Sequence, residues 1–179
     1  MSDNIRTFLD SMLIGNPVVM TFVGALLALV IPRSLRSALR PALRFSVVLF
    51  FAGLLGATLS TLVPGLAVPL VYLAVSLMSL GLLLALGELK EDWKGMPQAV
   101  LAMAPLIGVQ LLVSNLPEPS IMLAGAAGNA LGFGGMFLLI AAIRESSRIS
   151  ETSDTFKTNP VVLFSMAMFA LAFSGFLFW

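Results

Sequence analysis

The sequence predicts an all-α integral membrane protein of six transmembrane helices, built as an inverted 3+3 repeat with broken first and fourth helices. Three observations carry that expectation. Of 179 residues, 59% are hydrophobic and the mean hydropathy is +1.02, more apolar surface than one soluble core can enclose. Six apolar stretches follow one another, at about 13–31, 45–62, 68–86, 100–113, 121–143 and 161–179, and most approach the roughly 20 residues that a span requires. Nine of the ten basic residues fall into three clusters between them: Arg33, Arg36, Arg40 and Arg44; Lys90 and Lys94; Arg144, Arg148 and Lys157. A bilayer leaves basic loops on the cytoplasmic side, so loops that alternate between basic and uncharged place both termini outside, with Arg6 alone on that side. The chain is then a single transmembrane domain, 1–179, with half-repeats 1–96 and 97–179.

Span one contains Gly15-Asn16-Pro17. It is not a cleaved signal, because Ser2-Asp3-Asn4 is not a cationic leader. Span two follows four arginines at steps of three, four and four, which share a face if the segment is helical, and Pro41 suits its first turn. That face is either a dock for an acidic partner or an anchor for anionic lipid headgroups. Span three ends at Glu88, which is either the first residue of a solvated loop or a buried acid whose natural partner is Arg144 at the end of span five. Span four is short and holds Ala104-Pro105, then Gly108 and Gln110. Span five carries Gly125, Gly128 and Gly132, a smooth face for a helix of this chain or of another subunit, and an Asn129 that needs a hydrogen-bond partner. In span six, Met166 and Met168 point to opposite sides and read as packing.

Proline inside a span removes one backbone hydrogen bond and crowds the preceding turn, and irregular backbone at membrane depth survives only inside protein or along a cavity. Interruptions at corresponding positions of two halves point to an inverted repeat with a midplane site. The midplane candidates are therefore Asn16, Pro17, Gly24, Pro105, Gly108 and Gln110. Two ordinary proline kinks in unrelated helices would leave the same sequence. The ionisable residues at the inner face are Glu88, Arg144 and Glu145.

The chain has no cysteine and no histidine, which excludes disulfides, thiolate-held iron–sulfur sites, Cys/His zinc sites, histidine-ligated haem and catalytic triads that need either residue. A net charge of +1 predicts no nucleic-acid binding.

With these spans in place, Ala141-Ala142-Ile143-Arg144-Glu145 closing span five, Glu88 closing span three, Ala104-Pro105-Leu106-Ile107 in span four, and Leu171-Ala172-Phe173 with Gly175-Phe176 in span six, the chain resembles a known family. It is similar to the paired six-helix subunits of the Rnf and sodium-translocating NADH:quinone oxidoreductase complexes, and most like the member with outward termini, the Rnf A or Nqr E subunit. The resemblance covers essentially the whole chain. It implies a bacterial cytoplasmic (inner) membrane location with periplasmic termini, a homologous six-helix partner, and neighbouring redox subunits that carry iron–sulfur and flavin cofactors. In that family each half supplies a cysteine to a shared cluster. The matching positions here hold Leu26, after Gly24-Ala25, and Leu111, after Val109-Gln110, so the resemblance implies the scaffold without a cofactor bound by this chain alone. Two thiolate positions turned to leucine suggest a packed apolar site in its place.

The function expected on this basis is a non-catalytic membrane subunit of an electron-transport complex that serves as scaffold or pathway, with Arg33, Arg36, Arg40 and Arg44 on the face where partners dock. The alternative is a small inverted-repeat permease or ion-translocating protein with substrate between Asn16 and Gln110. A third is a membrane assembly factor.

Overall fold

The computed structural model of the chain describes residues 3–16, 18, 35–87, 89, 92–93, 96–149 and 159–175. Among these the architecture is helical: α1 (Asp3–Met12), α2 (Leu35–Leu62), a 3-10 turn (Gly65–Ala67), α3 (Val68–Ala85), α4 (Gln98–Ser114), α5 (Pro119–Ile149) and α6 (Asn159–Ser174). A two-residue antiparallel ladder pairs Asp92 with Pro97 and Trp93 with Met96 ahead of α4.

Among the described residues, three segments are long and apolar enough to cross a membrane: Leu35–Leu62, Gly65–Ala85 and Pro119–Ser146, with mean hydropathies of 2.0, 2.2 and 1.8. They coincide with expected spans two, three and five. Spans four and six correspond to the shorter apolar helices Gln98–Ser114 and Leu163–Phe173. Span one beyond Asn16 and Val18, with Pro17, Gly24 and Leu26, lies outside the described residues, as do Arg33, Glu88, Lys90, Lys94 and Lys157 and the side chain of Arg148.

The pattern of α2 explains its position. Ala38, Pro41, Ala42, Phe45, Val48, Leu49, Ala52, Gly53, Gly56 and Ala57 recur at helical spacing and are all buried. Most are small, so neighbouring backbones come close. On one side α5 runs antiparallel to α2: Gly134 sits against Ser46, and a Cβ added to Gly53 would lie 3.8 Å from that of Ala126. Phe45 of α2 and Phe133 and Phe137 of α5 form a ring cluster with centroids 6.0–6.3 Å apart. On the other side α4 is equally close, since a Cβ on Gly53 would come within 2.8 Å of Val109 Cγ1. The helix α3 packs on α2 and α4, α1 on α5, and α6 on α5. Met166 is buried and Met168 exposed, as their spacing predicts.

The smooth face of α5 is filled from within the chain. Gly128 meets the Phe8 carbonyl, Ser11 and Met12, while a Cβ on Gly132 would fall 2.6 Å from the Met12 carbonyl oxygen. Its occupant, α1, lies ahead of the first expected span, and Ile5, Phe8, Leu9 and Met12 repeat in it at helical spacing. The helix ends at Met12, and a turn through Gly15 leads to Asn16; the expected interruption within span one falls largely outside the described residues.

Two expectations need correction. The fourth span is not broken: α4 runs continuously through Pro105. Proline cannot donate to the Leu101 carbonyl, but one missing ladder bond is outweighed when Leu101, Ala102, Pro105, Leu106 and Val109 are all buried on the flanks of the helix. Nor does span two begin at Pro41. The helix starts at Leu35, whose N–H donates to the Glu145 carboxylate at 2.9 Å, so a side chain from the far end of α5 caps it and Pro41 falls inside.

Gly128→Leu drives a bulky side chain into the α1 backbone. It should destabilise the protein by about 1–3 kcal/mol, the usual range for overpacking, read as a lowered thermal midpoint in detergent, while Gly135→Ala, where nothing lies within 4 Å, should leave the midpoint unchanged.

Candidate functional site

Among the described residues the buried polar side chains are few: Asn16, Ser76, Ser79, Gln98, Gln110 and Asn129. Large apolar side chains such as Leu70, Met78, Leu123 and Leu131 face outward instead. A soluble protein sorts its residues the other way.

Gln110 is the centre of the polar interior. It is fully buried (0% exposed), and its Nε2 donates to Ser76 Oγ at 2.7 Å, to the Leu106 carbonyl at 2.9 Å and to the Tyr72 carbonyl at 3.3 Å. Its side chain lies directly over Gly56 of α2, where any Cβ would collide with it. One amide thus joins α3 to α4, and it fits only because α2 offers a glycine.

Asn16, 1% exposed, is the second expected midplane residue. Its Nδ2 donates to the Met12 carbonyl at 3.0 Å, and its Oδ1 accepts from the Val18 N–H at 2.9 Å, the pattern of an Asx turn that redirects a chain leaving a helix. It rests on Gly132 of α5. Asn129, 2% exposed, finds its partner within its own helix, donating to the Gly125 carbonyl at 3.0 Å. Asn129 Oδ1 and Gln110 Oε1 accept no hydrogen bond from the described residues.

Asn16 and Gln110 make their contacts on different helices among the described residues: they share no hydrogen-bond partner, and they lie against α5 and α2 respectively. Pro105 is buried and Gly108 half-buried in the same helix as Gln110.

Leu111, expected in a packed apolar site, is 48% exposed. The reason is its place in α4: the packed face runs through Val109, Gln110 and Val113, and Leu111 falls on the flank. There it helps to line a groove of about 470 Å³ between α3 and α4, with Val68, Tyr72, Leu73, Ile107 and Asn115. Ser114 Oγ and Asn115 Nδ2 both donate to the Leu111 carbonyl, at 3.1 and 2.9 Å.

Arg36, Arg40, Arg44, Arg144 and Glu145 lie at one end. The start of α2, the end of α3 and the end of α5 meet there, because Leu35 N–H bonds Glu145 and Arg44 Nη1 donates to the Leu86 carbonyl at 3.0 Å. Gly87, at φ 79°, closes α3 at that level in the left-handed conformation that favours glycine. Arg36, Arg40 and Glu145 are exposed, and Arg44 and Arg144 half-buried. Sequence reasoning could not assign Glu145 its capping role, since its partner lies 110 residues away. Ser76, Gly53 and Gly56 were also missed. The only signal for them is small-residue spacing in α2 and a lone serine in an apolar helix.

Amides and hydroxyls neither titrate in the physiological range nor carry electrons. What this interior can do is fix helix register. In a double-mutant cycle, Gln110→Leu and Ser76→Ala should show coupling of about 0.6–1.7 kcal/mol, the range for hydrogen bonds between membrane helices, and additive effects would remove the Gln110–Ser76 bond from the account. Comparison with models of known protein families and with curated protein sequences finds no match in either.

Proposed function

We propose that the chain is an integral membrane subunit of an Rnf/Nqr-like electron-transport complex, with six spans in an inverted 3+3 repeat, both termini periplasmic, and a homologous six-helix partner. Its role is scaffold or pathway beside subunits that carry the iron–sulfur and flavin groups. The observation that supports this reading is the crosswise packing of the two halves. In such a repeat, α2 and α5 are equivalent, and they pack antiparallel. Span four, α4, rests on α2, and α3 lies on α2 as α6 lies on α5; α1, the segment ahead of span one, rests on α5. A twofold axis in the membrane plane would relate α2 with α3 to α5 with α6 in this way.

The scaffold role follows from the side chains. From residue 45 to 87 and from 98 to 143 the sequence has one Asp, Glu, Lys or Arg, Glu118, which precedes α5, and one tyrosine, Tyr72. A proton relay or charge-carrying path needs titratable groups at membrane depth. Leu111, on the outward groove of α3 and α4, stands where the resembled family presents a ligand to its partner, so in this reading the groove faces the second subunit.

Tagging the chain and isolating its complex from native membranes tests the proposal. Stoichiometric recovery of a second six-helix subunit with flavin, iron–sulfur or cytochrome subunits is the expected result. A purified assembly without any redox subunit would overturn it.

A further inference from the structure

The first two turns of α2 combine two features that the scaffold role does not use. Arg36 and Arg40 are exposed, and among the described residues neither has a carboxylate within 4.0 Å. The acid at that end, Glu145, accepts from the Leu35 N–H instead. Below them, Leu43, Val47 and Phe51 are 61%, 54% and 56% exposed. Positions 36, 40, 43, 47 and 51 are spaced by three or four, so they share one face, basic at the top and apolar beneath. Length sets the level of the change. With 28 residues, α2 is about 42 Å long against a hydrocarbon core of about 30 Å, so roughly eight residues stand beyond the core, and those carrying the arginines are at headgroup height.

We propose that this strip seats one anionic phospholipid, its phosphate held between Arg36 and Arg40 and one acyl chain lying along Leu43, Val47 and Phe51. Charge complementarity selects the occupant. A zwitterionic lipid leaves the arginines without a net counter-charge, and an acidic soluble protein leaves the apolar strip unused. The inference rests on the membrane reading above but not on the redox assignment.

The test uses the full chain in nanodiscs of phosphatidylcholine with a minor fraction of phosphatidylglycerol, with lipid retention read by native mass spectrometry. Each arginine near an anionic surface contributes roughly fivefold in affinity, so Arg36→Gln with Arg40→Gln should lower the preference for phosphatidylglycerol by about 25-fold. Arg36→Lys with Arg40→Lys should retain most of it. Arg6→Gln, in an exposed arginine of α1 that is not part of this strip, should not change it. Equal retention by wild type and the double glutamine variant overturns the proposal, as does equal loss in Arg6→Gln or displacement by glycerol phosphate as effective as by the lipid. Binding of an acidic soluble protein through Arg36 and Arg40 without any lipid preference overturns it too. Release of the chain from membranes by alkaline carbonate would instead sink the membrane reading itself, so the two failures are distinguishable.

Discussion

The close approach of α2 and α5 is the contact on which the rest of the bundle depends. Gly53 beside Ala126 and Gly134 beside Ser46 let the two longest helices run antiparallel, and Phe45, Phe133 and Phe137 fill the space that widens beyond the small residues. Each of the two then offers a second small face. On α5, Gly125, Gly128 and Gly132 receive α1; on α2, Gly53 and Gly56 receive α4. Where lipid surrounds a protein, burying apolar surface between helices gains little, because lipid tails are as apolar as leucine. Tight packing and hydrogen bonds must supply the difference, and in this chain both trace back to glycines on these two helices.

The polar interior follows from the same constraint. A buried amide away from water is costly unless it is bonded, so each one sits where a carbonyl or hydroxyl can meet it. Gln110 reaches two helices because Gly56 leaves room for its side chain, and Asn16 turns the chain under α5 because Gly132 does the same. Gln110 thus ties α3 and α4 together against α2. Its position at a fold-determining junction argues for register.

Much of this was legible in the sequence, and the limits have physical causes. Runs of apolar residues located the helices of spans two to six, because hydrophobic length is a one-dimensional signal. The glycine face of α5 was legible too, and packing within the chain fills it. The continuity of α4 through Pro105 was not, since whether a proline breaks a helix depends on the neighbours that hold its flanks. The cap of Leu35 by Glu145, and the Ser76 partner of Gln110, join residues far apart in sequence and leave no local trace. The exposure of Leu111 was not legible for a related reason: its place on the flank of α4 depends on which face α2 covers.

The central claim is that the large apolar residues of these helices face lipid while the amides and small residues face one another. The chain has no cysteine, so single cysteines can be placed on a clean background. Spin-labelled Phe51→Cys, Leu77→Cys and Leu123→Cys in liposomes should show high accessibility to oxygen and low accessibility to a water-soluble nickel chelate, the signature of hydrocarbon contact, whereas Ala52→Cys should be shielded from both. High accessibility to the nickel chelate at the first three positions would place that face in water and contradict the account.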